Sequence, residues 1–269
     1  MSERSYLMES EEEAIRLDVK TDGRTVEEHA RWAGLRPGMR VADFGCGSGK
    51  TTFHLNQVVQ PGGRGLGVDM AAQRIDFARA HYEAPGLEFR VKDIREPLDE
   101  LGLFDFIWVR FVLEYYRAQS FDMVRHFSAA LKPGGTLCLV DLDCNCLRFH
   151  GFPLRLERAV QCIMARLEER LNFDPYVGIK LYSFLYDLGF ENIQVMITPH
   201  NLLYSRFREN EKFNWSKKAQ ISGKLSGYAF EEYAGGYDEF IAELDRLFSD
   251  PRVFTYTPLV VCRGDRPRS

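Results

Sequence analysis

The sequence predicts an α/β protein of three layers, in which helices cover both faces of a seven-stranded, mostly parallel sheet. Apolar strand-like segments alternate with helix-like segments five times within residues 40–142. Such alternation is typical of parallel strands joined by right-handed helical crossovers. Breaks such as Pro61-Gly62-Gly63 and Pro85-Gly86 separate the segments. Ligands of these folds bind at the carboxyl ends of the strands, so we expect the functional residues there.

The predicted elements occur in a regular order along the chain. Residues 1–34 form an N-terminal helical segment, and residues 35–269 form one domain with helical insertions at about 145–172 and 199–250. Strands are predicted at 41–44, 65–68, 87–91, 104–109, 136–142, 191–198 and 253–262. Helices are predicted at 10–19, 26–33, 52–59, 71–82, 120–131 (with Ser120 as its cap), 153–171, 179–188, 206–221 and 237–248.

The stretch Val41–Thr52 is the most informative motif, because three glycines follow an apolar strand and precede a helix. A phosphate-binding loop would need glycine where Phe44 stands, and a dinucleotide turn would need its third glycine where Lys50 stands. What remains is Asp-x-Gly-x-Gly-x-Gly at the end of a strand. Glycine leaves room for a ligand to approach the backbone, although a glycine-rich turn without a ligand remains an alternative.

Carboxylates follow two further strands. Asp69 ends the second predicted strand, about twenty residues beyond the last glycine of the turn. A carboxylate there can accept hydrogen bonds from both hydroxyl groups of a ribose. Asp93 follows the third strand and can accept from the amino group of an adenine. These residues indicate an adenosine-containing ligand, and both nicotinamide and adenosylmethionine cofactors meet that description.

Composition narrows the class of protein. The chain has 269 residues, a formal net charge of −4 and 45% hydrophobic residues, which predicts a folded protein with a sizeable core. This charge gives no general attraction to nucleic acid, so no nucleic-acid partner is expected. The six cysteines lack the spacing of a zinc site, and no metal is predicted. Cys144 and Cys146 are expected as reduced thiols on one face of a strand end. Without a signal peptide or a membrane span, we predict a cytoplasmic protein.

Residues 35–143 resemble class I S-adenosylmethionine-dependent methyltransferases, particularly the small-molecule group that includes enzymes of ubiquinone and menaquinone biosynthesis. The resemblance implies a Rossmann-like fold and S-adenosylmethionine as cofactor, with the last strand antiparallel between the fifth and sixth. It depends on five motifs in order: Val-Ala-Asp-Phe-Gly-Cys-Gly-Ser-Gly, Gly-Val-Asp-Met, Val-Lys-Asp-Ile, Phe-Asp-Phe-Ile-Trp-Val-Arg-Phe-Val-Leu-Glu-Tyr and Leu-Lys-Pro-Gly-Gly-Thr-Leu.

The resemblance also implies roles for individual residues. Asp43 and the glycine turn would hold the methionine part of the cofactor, and Asp69 would hold its ribose. Arg110 would present its backbone near the amino group, with a surface salt bridge as the structural alternative for its side chain. The other predicted cofactor-binding residues are Gly45, Cys46, Gly47 and Gly49 in the turn, Met70 against the adenine, and Asp93 and Ile94 at the adenine edge.

The acceptor of the methyl group is expected to be a small molecule, because the motifs of several other acceptor classes are absent. No Asp/Asn-Pro-Pro-aromatic motif, Pro-Cys nucleophile or paired-glutamate loop follows the fourth strand. No catalytic residue is assigned: many relatives have histidine where this chain has Tyr115. Candidate acceptor-site groups are Tyr115, Tyr116, His150, His200 and Tyr204, and the lysines at 212, 217, 218 and 224 give the second insertion a basic side.

The two insertions are expected either to cover the acceptor or to form packing or homodimer contacts. Two other functions remain open from the sequence. One is a sensor or scaffold that binds the cofactor without transferring a methyl group, and the other is a nucleotide-dependent oxidoreductase.

Overall fold

The computed structural model describes residues 18–19, 21–204 and 209–268. In this part of the chain the strands are β1 (Arg40–Phe44), β2 (Arg64–Asp69), β3 (Leu87–Val91), β4 (Phe104–Arg110), β5 (Leu131–Leu142), β6 (Phe149–His150), β7 (Glu191–Tyr204) and β8 (Phe254–Asp265). The helices are α1 (Gly23–Trp32), α2 (Lys50–Val59), α3 (Ala72–His81), α4 (Ser120–Ala129), α5 (Leu154–Leu171), α6 (Leu181–Asp187), α7 (Glu209–Ser226) and α8 (Gly236–Leu247).

The strands form one sheet in the order β3-β2-β1-β4-β5-β8. The first five strands are parallel, and β8 runs antiparallel to β5 on one side and to β7 on the other. The short strand β6 also pairs with β8. The predicted α/β class, the mostly parallel sheet and the antiparallel last strand between the fifth and sixth predicted strands are confirmed.

Several predicted boundaries are wrong. Helix α1 begins three residues earlier than predicted, because Asp22 accepts a hydrogen bond from Arg24 N at 3.0 Å and caps the helix. Ser120 does not cap α4; it is the first helical residue, and its hydroxyl donates to Arg117 O. Most of the helix predicted at 10–19 lies outside the described residues.

Strand ends also differ from the prediction, among them that of β8, which continues past 262 to Asp265. Strand β5 begins at Leu131, because this residue pairs with Phe104 before the register shifts at the Lys-Pro-Gly-Gly sequence. Strand β7 continues past the predicted end at 198 to Tyr204, with an irregularity after His200. Cys144 and Cys146 are not on a strand: both lie in a turn.

Two kinds of core hold the chain together. The sheet is buried on both faces, with Phe44 and Phe127 in one cluster and Trp108 in the other. A separate apolar cluster lies among α5, α7 and α8, and it is rich in aromatic side chains: Phe152, Trp215, Phe230, Phe240 and Phe248. The helical insertions therefore have a core of their own.

Candidate functional site

The glycine turn follows β1 and is held by both backbone geometry and packing. Gly45, Gly47 and Gly49 all have positive φ angles, of 80°, 54° and 86°, which glycine adopts at little cost. A Cβ atom on Gly45 would lie 2.4 Å from Val112 Cγ2, and one on Gly49 would lie 2.6 Å from Ala78 Cβ. The turn therefore has structural reasons for two of its glycines, whether or not a ligand binds.

Asp69 ties this turn to the end of β2. Its side chain is 5% exposed. One carboxylate oxygen accepts from Gly47 N at 3.0 Å, and the other accepts from Ala71 N at 2.9 Å. Arg74 lies 3.6 Å from the same carboxylate. Asp69 thus fixes the conformation of the turn.

Asp43 lies in the centre of the sheet, in register with Gly67 on one side and Trp108 on the other. It is 2% exposed and accepts a hydrogen bond of 2.7 Å from the Thr52 hydroxyl. Burial raises the pKa of Asp43 to about 7, although the Thr52 hydrogen bond and the positive charge of Arg110 both favour ionisation. A cationic group placed beside Asp43 would compensate the charge that burial disfavours.

Arg110 ends β4 on the same side of the sheet as Asp43. Its guanidinium carbon lies 4.3 Å from the centre of the Phe111 ring. Burial lowers the pKa of Arg110 to about 10, against the opposing charges of Asp43, Asp141 and Asp22. The side chain is therefore not the surface salt bridge considered from the sequence. It adds a positive charge beside the carboxylates at the strand ends.

The residues after β2 and β3 differ in how available they are. Met70 is 44% exposed, whereas Ile94 is 7% exposed. The Asp93 carboxylate accepts from Arg95 N and from the Arg95 guanidinium, each at 2.9 Å, and the hydrogen bonds from Arg95 lower its pKa. The ring of Tyr116 lies 5.8 Å from the same guanidinium. Asp93 therefore already has a partner in its own loop, which the sequence did not indicate.

The side chain of Cys46 lies in a small apolar cluster. It is 6% exposed and packs with Ile75, Ala78 and Phe89. Burial raises the pKa of its thiol well above the usual value. The Cys46 side chain therefore has a packing role that the sequence did not indicate.

Lys50 has a role that the sequence did not reveal. Its ammonium donates to Asp18 O at 2.8 Å, and the Tyr82 hydroxyl contacts the Asp18 carboxylate. These contacts hold Asp18, which precedes α1, beside the glycine turn. The Gly-Lys-Thr sequence that resembles the end of a phosphate loop thus serves a contact between chain segments.

Two acidic side chains are buried together, Asp141 near the end of β5 and Glu114 in the segment after β4. Glu114 is 5% exposed, and Asp141 is 1% exposed. Backbone N–H groups of Leu113, Glu114 and Leu142 donate to the Asp141 carboxylate. Burial, and then the neighbouring Glu114, raise the pKa of Asp141 well above its usual value. The pair resides in the core and was not predicted from the sequence.

Asn145 connects this acidic pair to the helical insertions. Its amide nitrogen donates to Glu114 Oε2 at 2.7 Å, and its amide oxygen accepts from Lys218 Nζ at 2.9 Å. Cys144 and Cys146 on either side have positive φ angles of 50° and 61°, which are uncommon for residues with a Cβ. The turn holds Asn145 between β5 and α7.

Two small cavities lie where the insertions meet the ends of β4 and β5. One, of about 50 Å³, is lined by Tyr115, Asn145, Phe173 and Lys218, among others. The other, of about 40 Å³, lies among α5, α7 and α8 and is almost entirely apolar. Met164, Lys218 and Ser222 line both cavities. A small acceptor would meet an apolar wall here, with a few polar groups on one side.

The structure separates the predicted acceptor-site residues into two groups. Tyr115 and Tyr116 lie in the segment after β4: the Tyr115 ring contacts that of Phe173, and Tyr116 is close to Asp93 and Asp69. His150 lies in β6, while His200 and Tyr204 lie in β7, on the antiparallel side of the sheet. The acidic pair and Asn145 were missed, because only the fold brings residues 114, 141 and 145 together.

Neither a metal cluster nor a membrane helix is found within the described ranges. No three His, Cys, Asp or Glu side chains of residues 18–19, 21–204 and 209–268 are grouped so that they could hold a metal ion. In the same part of the chain, no helix combines the length and the apolar character that crossing a membrane requires.

Comparison with known proteins gives a family for the parallel half of the sheet. Residues 41–135 match the family model described as a methyltransferase domain. The arsenite methyltransferase of Aquipseudomonas alcaligenes is 35% identical over 244 residues, which cover 87% of this chain and 62% of that protein. The chain spans less than two thirds of the length of the first curated relatives that it matches.

Solved structures share the fold at low sequence identity. Phosphoethanolamine N-methyltransferase 2 of Haemonchus contortus, solved with S-adenosylhomocysteine, is 16% identical with a TM-score of 0.51 over 91% of this chain and 52% of that one. The [4+2]-cyclase SpnF is 15% identical with a TM-score of 0.55 over 92% of this chain and 82% of that one. The fold therefore occurs in proteins of different chemistry.

Proposed function

The chain belongs to the class I S-adenosylmethionine-dependent methyltransferases, and we propose that it transfers a methyl group from S-adenosylmethionine to a small-molecule acceptor. The observation that carries the proposal is the glycine turn closed by Asp69 and placed beside Asp43, at the carboxyl ends of β1 and β2. The family match over residues 41–135 covers these same residues.

The residues at the strand ends suit this cofactor in charge and shape. Asp43 is a buried carboxyl group, and burial disfavours its ionised form. The ammonium of the methionine part would stabilise that ionised form. Arg110 would face the carboxylate of the same part, with its guanidinium in place of the predicted backbone contact. Asp69 would accept from the ribose, and exposed Met70 would pack on the adenine. Ile94 and the backbone beyond Asp93 would line the adenine edge.

The bound cofactor supplies an activated methyl group on a cationic sulfur. The part of this chain in the reaction is to bind, orient and exclude water, because positioning can provide much of the rate of an in-line displacement. Tyr115 and Asn145 line the cavity next to the ends of β4 and β5, where they would contact the acceptor. A general base is not required when the acceptor is already nucleophilic.

Binding of the cofactor is tested by calorimetry with S-adenosylmethionine, S-adenosylhomocysteine and NADH. We expect the first two to bind and NADH not to bind. Asp69→Ala should weaken binding by about 1.5–3 kcal/mol, the range for a hydrogen bond to a charged group. Asp76→Ala is the control, because Asp76 is 73% exposed on α3. Equal affinity of the two variants would remove Asp69 from the site, and absence of binding to the wild type would refute the proposal.

Transfer is tested by incubating the protein with a metabolite extract and cofactor labelled in its methyl group. The named substrates of relatives, arsenite and phosphoethanolamine, are included as separate arms. A labelled product identifies the acceptor and shows whether oxygen, nitrogen or carbon is methylated. Cofactor binding without any labelled product would favour the alternative of a sensor or scaffold, which the occurrence of this fold in a cyclase makes worth testing. A cytoplasmic location and a homodimer stay predictions, for cell fractionation and sedimentation to test.

A further inference from the structure

Lys218 is the one cationic side chain among the described residues that line the two cavities. Its ammonium donates to Asn145 Oδ1 at 2.9 Å and lies 5.8 Å from the centre of the Trp215 ring. Both contacts are with neutral groups. An ammonium has three N–H donors, and the amide of Asn145 takes one of them.

The surroundings of Lys218 favour an anionic partner. A charge beside an apolar wall is costly unless it is paired and hydrogen-bonded. Within the described parts of the chain no carboxylate forms an ion pair with Lys218. The Asn145 side chain lies between Lys218 and Glu114: its amide oxygen accepts from Lys218, and its amide nitrogen donates to the Glu114 carboxylate at 2.7 Å. Asn145 thus keeps the ammonium in place at the cavity and leaves N–H groups for a ligand.

The opposite walls define the rest of that ligand. The cavity of about 40 Å³ among α5, α7 and α8 has an almost wholly apolar wall. It is lined by Phe149, Phe152, Ile163 and Phe248, among others. The volumes of about 40 and 50 Å³ are well below the roughly 150 Å³ of a cavity that binds benzene, so only a small molecule fits, and a ring has to extend from one cavity into the other. Met164 lines both cavities, and its flexible thioether can adapt to a ligand that extends from one into the other.

We propose that the acceptor has a small apolar body with one anionic oxygen group, a carboxylate or a phenolate, and that Lys218 binds this group. The inference rests on the proposed function, because the cavities are taken as the acceptor site of the methyltransferase. Lys218 is a positioning residue: it orients the acceptor, whose apolar body lies between α5, α7 and α8. Tyr115 lines one of these cavities from the short 3₁₀ helix Leu113–Tyr115 that comes after β4.

The test uses two pairs of probes that differ in charge but little in shape. Cinnamate is compared with cinnamyl alcohol, and 4-nitrophenolate with nitrobenzene, in the presence of saturating S-adenosylhomocysteine. Binding is measured by calorimetry. The two anionic probes distinguish a carboxylate from a phenolate.

The variants separate the charge of Lys218 from its stem. Lys218→Met keeps the length of the side chain and removes the charge, and Lys218→Arg keeps the charge. Lys217→Met is the matched control, because Lys217 is the adjacent, exposed lysine of α7. Thermal unfolding of each variant establishes that it is folded. If Lys218→Met does not fold, the comparison of charged with neutral probes on the wild type and Lys218→Arg still tests the inference.

We expect at least one anionic probe to bind wild type and Lys217→Met about ten- to a hundredfold more tightly than Lys218→Met, as for a hydrogen bond between charged groups. Lys218→Arg should retain most of this preference, and the neutral probes should bind all variants alike. Equal binding of the anionic probes to wild type and Lys218→Met, or no binding of either anionic probe to wild type at millimolar concentration, would overturn the inference. Calorimetry with S-adenosylhomocysteine alone separates this failure from failure of the proposed function.

Discussion

The two candidate functional regions of this chain are built in different ways. At the ends of β1 and β2, backbone angles and buried carboxylates fix the conformation, and Gly47 and Asp69 lie only 22 positions apart in sequence. In the insertions, aromatic side chains from three helices pack into a core, and Lys218 meets Asn145 across 73 positions. The first region depends on local geometry that few sequences permit. The second depends on apolar packing, which many combinations of side chains can provide.

The comparison predicts that the insertion core can be weakened without loss of cofactor binding. Phe240 is 1% exposed, and its ring lies 4.9 Å from that of Phe230. Phe240→Ala should lower the free energy of unfolding by about 3–5 kcal/mol, the usual cost of removing a buried phenylalanine. Its affinity for S-adenosylhomocysteine at 10 °C should stay within about twofold of the wild type, because the glycine turn belongs to a different core.

Phe254→Ala is the control for this prediction, since the same side chain is 41% exposed on β8. Urea unfolding and calorimetry measure the two quantities. A folded Phe240→Ala protein that has lost cofactor binding would show that the two regions are coupled, and the division drawn between them would be wrong.

The converse prediction concerns the glycine turn. Gly45→Ala should lower the free energy of unfolding by about 2–4 kcal/mol, because the new Cβ meets Val112 Cγ2 at 2.4 Å and the φ angle is 80°. Cofactor affinity should fall with it. Gly34→Ala separates the two causes: its φ is 98°, but nothing lies within 4 Å of its Cβ position. Gly34→Ala should cost about 1–2 kcal/mol and leave affinity unchanged; equal costs for both variants would exclude the packing explanation.

The sequence predicted the first region better than the second for the same physical reason. Glycines with positive φ, and carboxylates at strand ends, depend on neighbours close in sequence and in strand order, so Asp43 and Asp69 could be placed at the carboxyl ends of β1 and β2. Even in this region two contacts were not predicted. Arg95 donates hydrogen bonds to the Asp93 carboxylate, and the Cys46 side chain packs in an apolar cluster. Those contacts depend on rotamers rather than on spacing.

The second region was predicted only as helices. The periodicity of residues 153–171 indicated an amphipathic helix, which the structure has as α5. Periodicity does not say which helix covers which, so the meeting of Asn145 with Glu114 and Lys218 could not be foreseen. The positive φ angles of Cys144 and Cys146 could not be predicted either, because cysteine rarely adopts such angles.

A third prediction uses the titration of Asp43. Burial raises its pKa to about 7, so the free protein holds a proton there below that pH. A cationic ligand prefers the ionised carboxylate. Affinity for S-adenosylmethionine should therefore rise up to about tenfold per pH unit from pH 5 to 7 and level off above about pH 7. Calorimetry across this range measures the profile, and Asp43→Asn should abolish the slope; a slope that persists in Asp43→Asn would assign it to another group.

The smallest expected effect tests whether the hydroxyl of Thr52 sets that midpoint. Thr52 is fully buried and donates to Asp43 at 2.7 Å, which favours the ionised carboxylate and lowers its pKa. Thr52→Val keeps the shape of the side chain and removes the donor, so the midpoint of the affinity profile should move to higher pH. A hydrogen bond worth about 0.5–1.5 kcal/mol corresponds to a shift of at most about one pH unit. Thr51→Val, the same change one residue earlier, should leave the midpoint in place. If both variants move it equally, the shift comes from the helix α2 as a whole and the carboxylate is not controlled by this one hydroxyl.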